Sequence, residues 1–233
     1  DAPTQIHLHE TREEVLSSVE RVGMRPIDFL EQVGLLGPRT QCVHMTALGD
    51  QDIATIAKHG AQVVHCPRSN LKLGSGICPV QKLMDHDINV ALGTDGAASN
   101  NRLSMLGEMQ IASLIGKAQH GDPKAVDAWA ALEMATMNGA IALGQQEKIG
   151  TIEVGKTADL IALDLSGVHH WPRHDIASSL VYATHGNEVA WSWIAGKPMV
   201  ANGQLQTLDY RDLQTRAMRW SEQLSAFRAT LEH

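Results

Sequence analysis

The sequence predicts an α/β fold in which parallel strands alternate with helices, followed by a separate small β unit. Up to about residue 100, short apolar runs alternate with amphipathic segments at a spacing typical of parallel βαβ units. Near Ile149 the pattern changes to alternating apolar and polar residues bounded by glycines, which indicates short strands of a different kind.

The elements of the first part follow from apolar runs, helical periodicity and the placement of Gly and Pro. We expect strands over residues 5–9, 40–44, 61–65 and 88–93. We expect helices over residues 11–21, 26–36, 49–59, 79–87, 103–119 and 124–143. Residues 65–76 have little propensity for regular structure and predict a long loop, of the kind that binds substrate after a strand.

The second part reads as a small β unit with a terminal helix. Residues 150–156 alternate apolar and polar side chains, and residues 158–164 form an apolar strand. Residues 189–205 resemble a hairpin with an Asn-Gly turn at Asn202 and Gly203. From Asp209 onward the chain reads as a polar amphipathic helix.

Composition and charge exclude several classes of protein. The 233 residues contain no apolar run near the ~18 residues of a transmembrane helix, so a membrane span is excluded. A net charge of −7 without a basic cluster disfavours a nucleic-acid groove. Three cysteines are too few for a disulfide scaffold or a Cys-rich zinc site, and they indicate a reducing, cytoplasmic environment.

The beginning of the chain is unusual for a domain. Asp1 is not a start methionine, and a strand-like run begins almost at once, at Gln5. Domains commonly begin with more dispensable residues. We therefore expect this chain to be the C-terminal part of a longer one.

Histidine and aspartate lie where the predicted strands end. His44, His65 and Asp95 each close an apolar run, and the C-terminal ends of parallel strands are where sites are built. His7 and His9 are two residues apart on one strand and are expected to share a face. A single strand-end histidine is more often a hydrogen-bonded, half-buried residue, but the combination favours a site. A divalent metal that accepts N and O ligands, most simply Zn²⁺, fits this set.

Several sequence segments carry a family resemblance. They are residues 6–11, residues 42–46, the loop at 65–74, residues 93–101 and residues 150–160. Together they resemble the amidohydrolase superfamily, and within it the methylthioadenosine/S-adenosylhomocysteine deaminase group of chlorohydrolase-like enzymes. The strings SNLKLG and GTDGAASNN are fairly specific for this branch, and the resemblance covers almost the whole chain.

The resemblance implies the C-terminal portion of a metal-dependent (β/α)₈ TIM barrel plus a small β-sandwich domain. Residues 1–147 would be the barrel part, residues 148–208 the small β domain segment with an inserted loop and helix, and residues 209–233 a C-terminal helix. Because a complete barrel needs about 250 residues, the N-terminal half is expected to be missing from this chain.

The resemblance also implies roles for individual residues. His44 and Asp95 would be metal ligands, and His65 and Asp95 would be the catalytic groups that orient and deprotonate the attacking water. His7 and Ser99 would contact substrate.

Two positions depart from the family pattern. The N-terminal His-x-His ligand pair is absent, since His7-Leu8-His9 has its spacing but a Glu-Thr context that matches the fourth barrel strand. Ala47 stands where many deaminases of the superfamily carry a glutamate that shuttles protons, which leaves the group that protonates the ring open.

The resulting functional hypothesis is zinc-dependent hydrolytic deamination of an adenine-type nucleoside, such as methylthioadenosine, S-adenosylhomocysteine or adenosine, with release of ammonia. The implied partners are the nucleoside, the missing half of the barrel and further copies in a homo-oligomer, without nucleic acid or membrane. The alternatives are a guanine deaminase or a triazine hydrolase on the same scaffold, or a barrel fragment without catalytic function.

Overall fold

A computed structural model describes residues 3–231, which form two compact units. The first unit comprises the described residues up to Lys156 together with Ser166–Gly186. The second comprises Thr157–Leu165 and the described residues from Asn187 onward. The chain therefore leaves the first unit, contributes one segment to the second, and returns before it completes the second unit.

The first unit is built on a parallel sheet of four strands, in the order of the chain. The strands are β1 (Thr4–Leu8), β2 (Thr40–His44), β3 (Gln62–His65) and β4 (Val90–Leu92). Every residue of β2 and β3 is buried, as expected for central strands covered on both faces, whereas β1 alternates at the sheet edge. The register pairs Leu8 with His44 and His65 with Leu92, so the carboxyl ends of the strands lie side by side.

Helices follow each of these strands, and several begin at a side chain that caps them. They are α1 (Arg12–Val22), α2 (Pro26–Gln32), α3 (Asp50–His59), α4 (Pro67–Leu73), α5 (Val80–Met84), α6 (Met105–His120), α7 (Ala128–Ala135), α8 (Met137–Ala142) and α9 (Ile176–Ser178). The Thr11 hydroxyl accepts from Glu14 N at the start of α1, and Ser104 does the same for Gly107 N at α6. Gly23 ends α1 with φ of +78°, a left-handed conformation that glycine adopts without strain.

Three predicted elements of the chain were wrong. The expected loop over residues 65–76 contains α4, because Pro67 fixes a helical φ at the first position and Gly74 supplies the left-handed C-cap. The single helix expected over 124–143 is divided into α7 and α8 at Thr136, whose ψ of −90° is not helical. Residues 150–156 form turns and bends rather than a strand.

The second unit is an antiparallel sheet followed by a long helix. Its strands are β5 (Leu160–Leu163), β6 (Val189–Ile194), β7 (Lys197–Ala201) and β8 (Gln204–Leu205), and its helix is α10 (Tyr210–Leu231). The predicted Asn-Gly turn is confirmed: Asn202 and Gly203 both have positive φ, as a two-residue hairpin turn requires. Among the helices of residues 3–231, none has the length and apolar character that crossing a membrane requires.

Candidate metal centre

Two histidines and an aspartate meet at the carboxyl ends of the parallel strands. His7 lies on β1, His44 is the last residue of β2, and Asp95 follows β4 by three residues. Each offers one ligand atom, and these atoms all lie within 4.8 Å of one another. The rings of His7 and His44 are 5.2 Å apart between centroids and tilted by 37°. The sheet thus gathers three nitrogen and oxygen donors that are far apart in the sequence.

His44 is held in one orientation by an amide on α4. It is buried, and its φ of +79° places a non-glycine residue in the left-handed region, which is a strained conformation typical of functional sites. Its Nδ1 lies 2.8 Å from Oδ1 of Asn70, so Nδ1 carries the proton and donates it to the amide oxygen. This tautomer leaves the lone pair of Nε2 available to a metal. The Oε2 atom of Glu10 lies 3.8 Å from that nitrogen.

Asp95 is fixed by two hydroxyl groups. Ser69 Oγ and Ser99 Oγ each donate a hydrogen bond of 2.6 Å to its Oδ2 atom. Its φ of +57° is also in the left-handed region. Burial alone would raise the pKa of this carboxyl group, but the bonds from Ser69 and Ser99, together with the Gly96 N–H, lower its pKa to about 2. Asp95 is therefore an ionised carboxylate at neutral pH.

His65 lies at the end of β3, beside the three donors but outside their group. It is 2 % exposed, and its Nδ1 has no hydrogen-bond partner among the residues that the structure describes. Burial, with a smaller contribution from His44, lowers the pKa of His65 to about 3. The imidazole is consequently neutral at neutral pH.

His9 does not join the site, and the expectation that it shares a face with His7 is wrong. The strand ends at Leu8, and the left-handed backbone of His9, with φ of +51°, turns its side chain into the interior. Its Nδ1 donates to Ala47 O at 3.0 Å, and its Nε2 accepts from Ile27 N at 3.2 Å. Burial lowers the pKa of His9, so this is a neutral histidine with both ring nitrogens satisfied.

Three further residues of the site were missed in the sequence. Ser69 and Asn70 belong to the SNLKLG string that predicted a substrate loop, but their contacts with Asp95 and His44 depend on α4, which was not expected. Glu10 accepts a hydrogen bond of 3.2 Å from Ser75 Oγ and lies beside His44. The signal in the sequence that could have identified them is the pair Ser69-Asn70, which follows the strand-end His65 by four and five residues.

The donors fit a zinc ion in chemical type. Zinc is held by histidine nitrogen and carboxylate oxygen at about 2.0–2.2 Å, and catalytic zinc sites commonly have three protein ligands and an open position. Donor atoms around one such ion are about 3.4 Å apart, so a group within 4.8 Å can close on it with small side-chain movements. The Asn70 bond to His44 and the hydroxyl bonds to Asp95 are of the kind that orient the ligands of metal sites in general.

Comparison with known proteins gives matches over most of the chain. The model of the amidohydrolase family matches residues 1–199. A 5-methylthioadenosine/S-adenosylhomocysteine deaminase of Teredinibacter turnerae is 49% identical over 227 residues, which are 97% of this chain and 51% of that protein.

Solved structures agree with this match. An adenosine deaminase from Xanthomonas campestris with bound zinc superimposes with a TM-score of 0.95 at 44% identity, covering 97% of this chain and 52% of that one. An atrazine chlorohydrolase from Arthrobacter aurescens complexed with zinc has a TM-score of 0.85 at 27% identity, with coverage of 92% and 48%. The chain spans about half the length of each of these relatives.

Proposed function

Because the chain belongs to the amidohydrolase family, we propose that its protein is a zinc-dependent deaminase of adenine-type nucleosides. The reaction is hydrolysis of the exocyclic C–N bond of methylthioadenosine, S-adenosylhomocysteine or adenosine, with release of ammonia. The observation that carries this proposal is the group of His7, His44 and Asp95 at the strand ends, where their ligand atoms lie within 4.8 Å of one another.

The architecture that we propose is the C-terminal portion of a (β/α)₈ TIM barrel, over residues 1–147, and a segment of a small β-sandwich domain with an inserted loop and helix, over residues 148–208, with a terminal helix over 209–233. Within 148–208, the residues up to Lys156 and Ser166–Gly186 belong to the first compact unit, so the inserted part is the one that returns to the parallel sheet's unit. The parallel sheet supports this assignment, because it has edges at β1 and β4 that further strands would extend. The remaining barrel strands would come from an N-terminal half, and the protein would be a cytoplasmic homo-oligomer.

The metal would be held by Nε2 of His44 and a carboxylate oxygen of Asp95, with further ligands from the proposed N-terminal half. Zinc would supply a Lewis acid that brings the pKa of a water molecule toward about 7. His7, which is exposed, would contact the substrate rather than the ion. His7 also belongs to the donor group, and zinc binding by the His7→Asn variant distinguishes the two roles.

Asp95, His65 and Ser99 each have a proposed role in the hydrolysis. Asp95 accepts a proton from the attacking water, and His65, neutral because of its burial, orients that water. The water oxygen adds to the ring carbon that bears the amine, and the electron pair of the ring C=N bond moves to the ring nitrogen. When this pair returns, the exocyclic C–N bond breaks, and Asp95 gives its proton to the departing amino group, which leaves as ammonia. The Ser99 hydroxyl group donates its hydrogen bond to Asp95. Its oxygen would therefore contact the substrate as an acceptor, for a hydrogen bond from the adenine ring system.

The comparisons favour a nucleoside over the alternative substrates. The relative at 49% identity and the zinc-containing structure at 44% identity are named as deaminases of adenine nucleosides. The triazine-acting neighbour has the same fold at 27% identity. A triazine or guanine is therefore the second candidate substrate.

The test is a substrate panel on the full-length protein, by which we mean this chain with its proposed N-terminal half. Methylthioadenosine, S-adenosylhomocysteine, adenosine, guanine and a chlorotriazine are each assayed for ammonia or chloride release with saturating zinc. Turnover of an adenine nucleoside, lost with a chelator and restored by zinc, is the expected result. Turnover of guanine or triazine alone would overturn the substrate assignment, and zinc binding without any turnover would support a non-catalytic role.

A further inference from the structure

A fully buried carboxylate outside the donor group connects the two segments that hold the candidate ligands. Glu108 lies on α6 and is 0 % exposed. Burial raises the pKa of Glu108, while hydrogen bonds from Arg68 and Asn100 act in the opposite direction. A buried carboxylate is costly unless it is well bonded, so its partners show what it is positioned to hold.

One oxygen of Glu108 holds the segment that carries Asp95. Asn100 Nδ2 donates to Glu108 Oε1 at 2.9 Å and also to Thr94 O at 2.8 Å, the carbonyl just before Asp95. Asn100 is fully buried, and Ser99, which bonds Asp95, precedes it in the chain. Displacement of Asn100 would therefore move both ends of the segment from Thr94 to Asn100.

Both oxygens of Glu108 contact Arg68, at the start of α4. Arg68 N donates to Glu108 Oε2 at 3.1 Å, and Arg68 Nε lies 3.3 Å from Oε1 as an ion pair. Arg68 immediately precedes Ser69 and Asn70, whose side chains bond Asp95 and His44. The close approach of the Arg68 guanidinium to α6 is possible because the neighbouring helix residue is glycine, where a Cβ would lie 2.9 Å from Nη2.

We propose that Glu108 is a positioning residue of the metal centre. Its carboxylate sets the distance between α4 and the segment from Thr94 to Asn100. This distance keeps the Ser69–Asp95 and Asn70–His44 hydrogen bonds at their observed lengths. This proposal rests on the proposed function, since it assumes that His44 and Asp95 bind a metal. Glu108 would thus control the geometry of His44 and Asp95 although it contacts neither of them.

The test uses Glu108→Gln in the full-length protein, loaded with zinc or with cobalt as a spectroscopic substitute. Glutamine keeps the shape of the side chain, but one carboxylate oxygen is replaced by an NH₂ group, which cannot accept a hydrogen bond. The hydrogen bond from either Asn100 or Arg68 is therefore lost. Substitutions in the outer contacts of metal ligands typically weaken binding 10- to 100-fold, and we expect a loss of about that size for zinc. The visible spectrum of the cobalt protein should also change, because ligand geometry determines it.

A matched control separates positioning from stability. Asp52 is a carboxylate with 2 % exposure, paired with Arg25 at 2.5 Å, and its hydrogen bonds that the structure describes do not involve α4 or the segment from Thr94 to Asn100. Asp52→Asn should lower the melting temperature, yet keep the zinc affinity and the cobalt spectrum of the parent. If Glu108→Gln behaves in the same way as Asp52→Asn, the positioning role is wrong.

A second variant covers the case in which Glu108→Gln does not fold. Asn100→Ala removes the connection to Thr94 and leaves the bond from Arg68 N to Glu108, and it should produce the same spectral change. An unchanged cobalt spectrum in Asn100→Ala would overturn the proposal. A parent that binds cobalt but deaminates nothing would overturn only the proposed function, and a parent that binds no metal would overturn both.

Discussion

The hydroxyl group of Ser69 donates a hydrogen bond of 2.6 Å to Oδ2 of Asp95, which joins α4 to the segment that follows β4. The next residue, Asn70, bonds His44 at the end of β2. Two consecutive residues thus orient two candidate ligands that come from different strands. Outer contacts of this kind determine the orientation and basicity of metal ligands, so the short helix after β3 is part of the site.

The first prediction concerns the pH dependence that follows from the Ser69–Asp95 bond. Ser69→Ala removes one of the bonds that lower the pKa of Asp95, so this pKa should rise from about 2 toward the ordinary value near 3.9. A carboxyl group with a lowered pKa in the folded state stabilises the protein above its unfolded pKa. That contribution is lost as the pH falls from about 4 to about 2.

The measurement is the free energy of unfolding of the metal-free protein in urea across this pH range, with the carboxyl pKa read by ¹³C NMR. The parent should lose more stability than Ser69→Ala between pH 4 and pH 2. Ser18→Ala, which removes a hydroxyl bond to Met24 O and not to an acid, should follow the parent. Equal slopes for the parent and Ser69→Ala would contradict the prediction.

The second prediction distinguishes two buried histidines at the carboxyl ends of adjacent strands: His9, just after β1, and His44, the last residue of β2. His44→Ala removes a proposed ligand, so most bound zinc and the activity should be lost. His9→Ala removes a ring that bonds Ala47 O and Ile27 N, and should cost about 1–3 kcal/mol of stability while zinc remains bound. Zinc content by atomic spectroscopy and thermal melts measure the two effects. Full zinc occupancy in His44→Ala would remove His44 from the ligand set.

The third prediction concerns His7, whose ring lies 5.2 Å from that of His44. If His7 contacts substrate, His7→Asn should retain zinc, raise KM and lower kcat/KM for the nucleoside. Zinc titration and steady-state kinetics on the full-length protein make the measurement. Zinc loss equal to that of His44→Ala would show instead that His7 is a third ligand from this chain.

The fourth prediction separates the two roles proposed for Asp95. Asp95→Asn keeps the shape and one oxygen donor but removes the charge and the basicity. Zinc affinity should fall moderately, whereas the rate should fall by about 10²–10⁴, which is the usual value of proton transfer by a positioned group. The assay follows the adenine absorbance at saturating zinc. Recovery of nearly the parent rate would mean that Asp95 is only a ligand, and His65 would be the next base to test.

The sequence alone determined the parts of this protein that depend on local periodicity and on strand direction. Apolar runs alternating with amphipathic segments predicted the four parallel strands, and each lies within two residues of its expected limits. Parallel strands bring their carboxyl ends to one edge, so the position of His44 and Asp95 at strand ends was enough to predict their proximity. The Asn202-Gly203 turn was likewise predicted because few other residue pairs adopt two successive positive φ angles.

Only the tertiary structure decided which polar side chains face the site. Side-chain alternation placed His7 and His9 together, but alternation ends with the strand, and the left-handed backbone of His9 turned its ring into the interior. Ser69 and Asn70 reach their partners because a short helix forms at Pro67, and Glu108, 40 residues further along the chain, bonds the start of that helix through Arg68 N. Such contacts depend on how separate segments pack, and a single sequence contains no local periodicity from which to predict them.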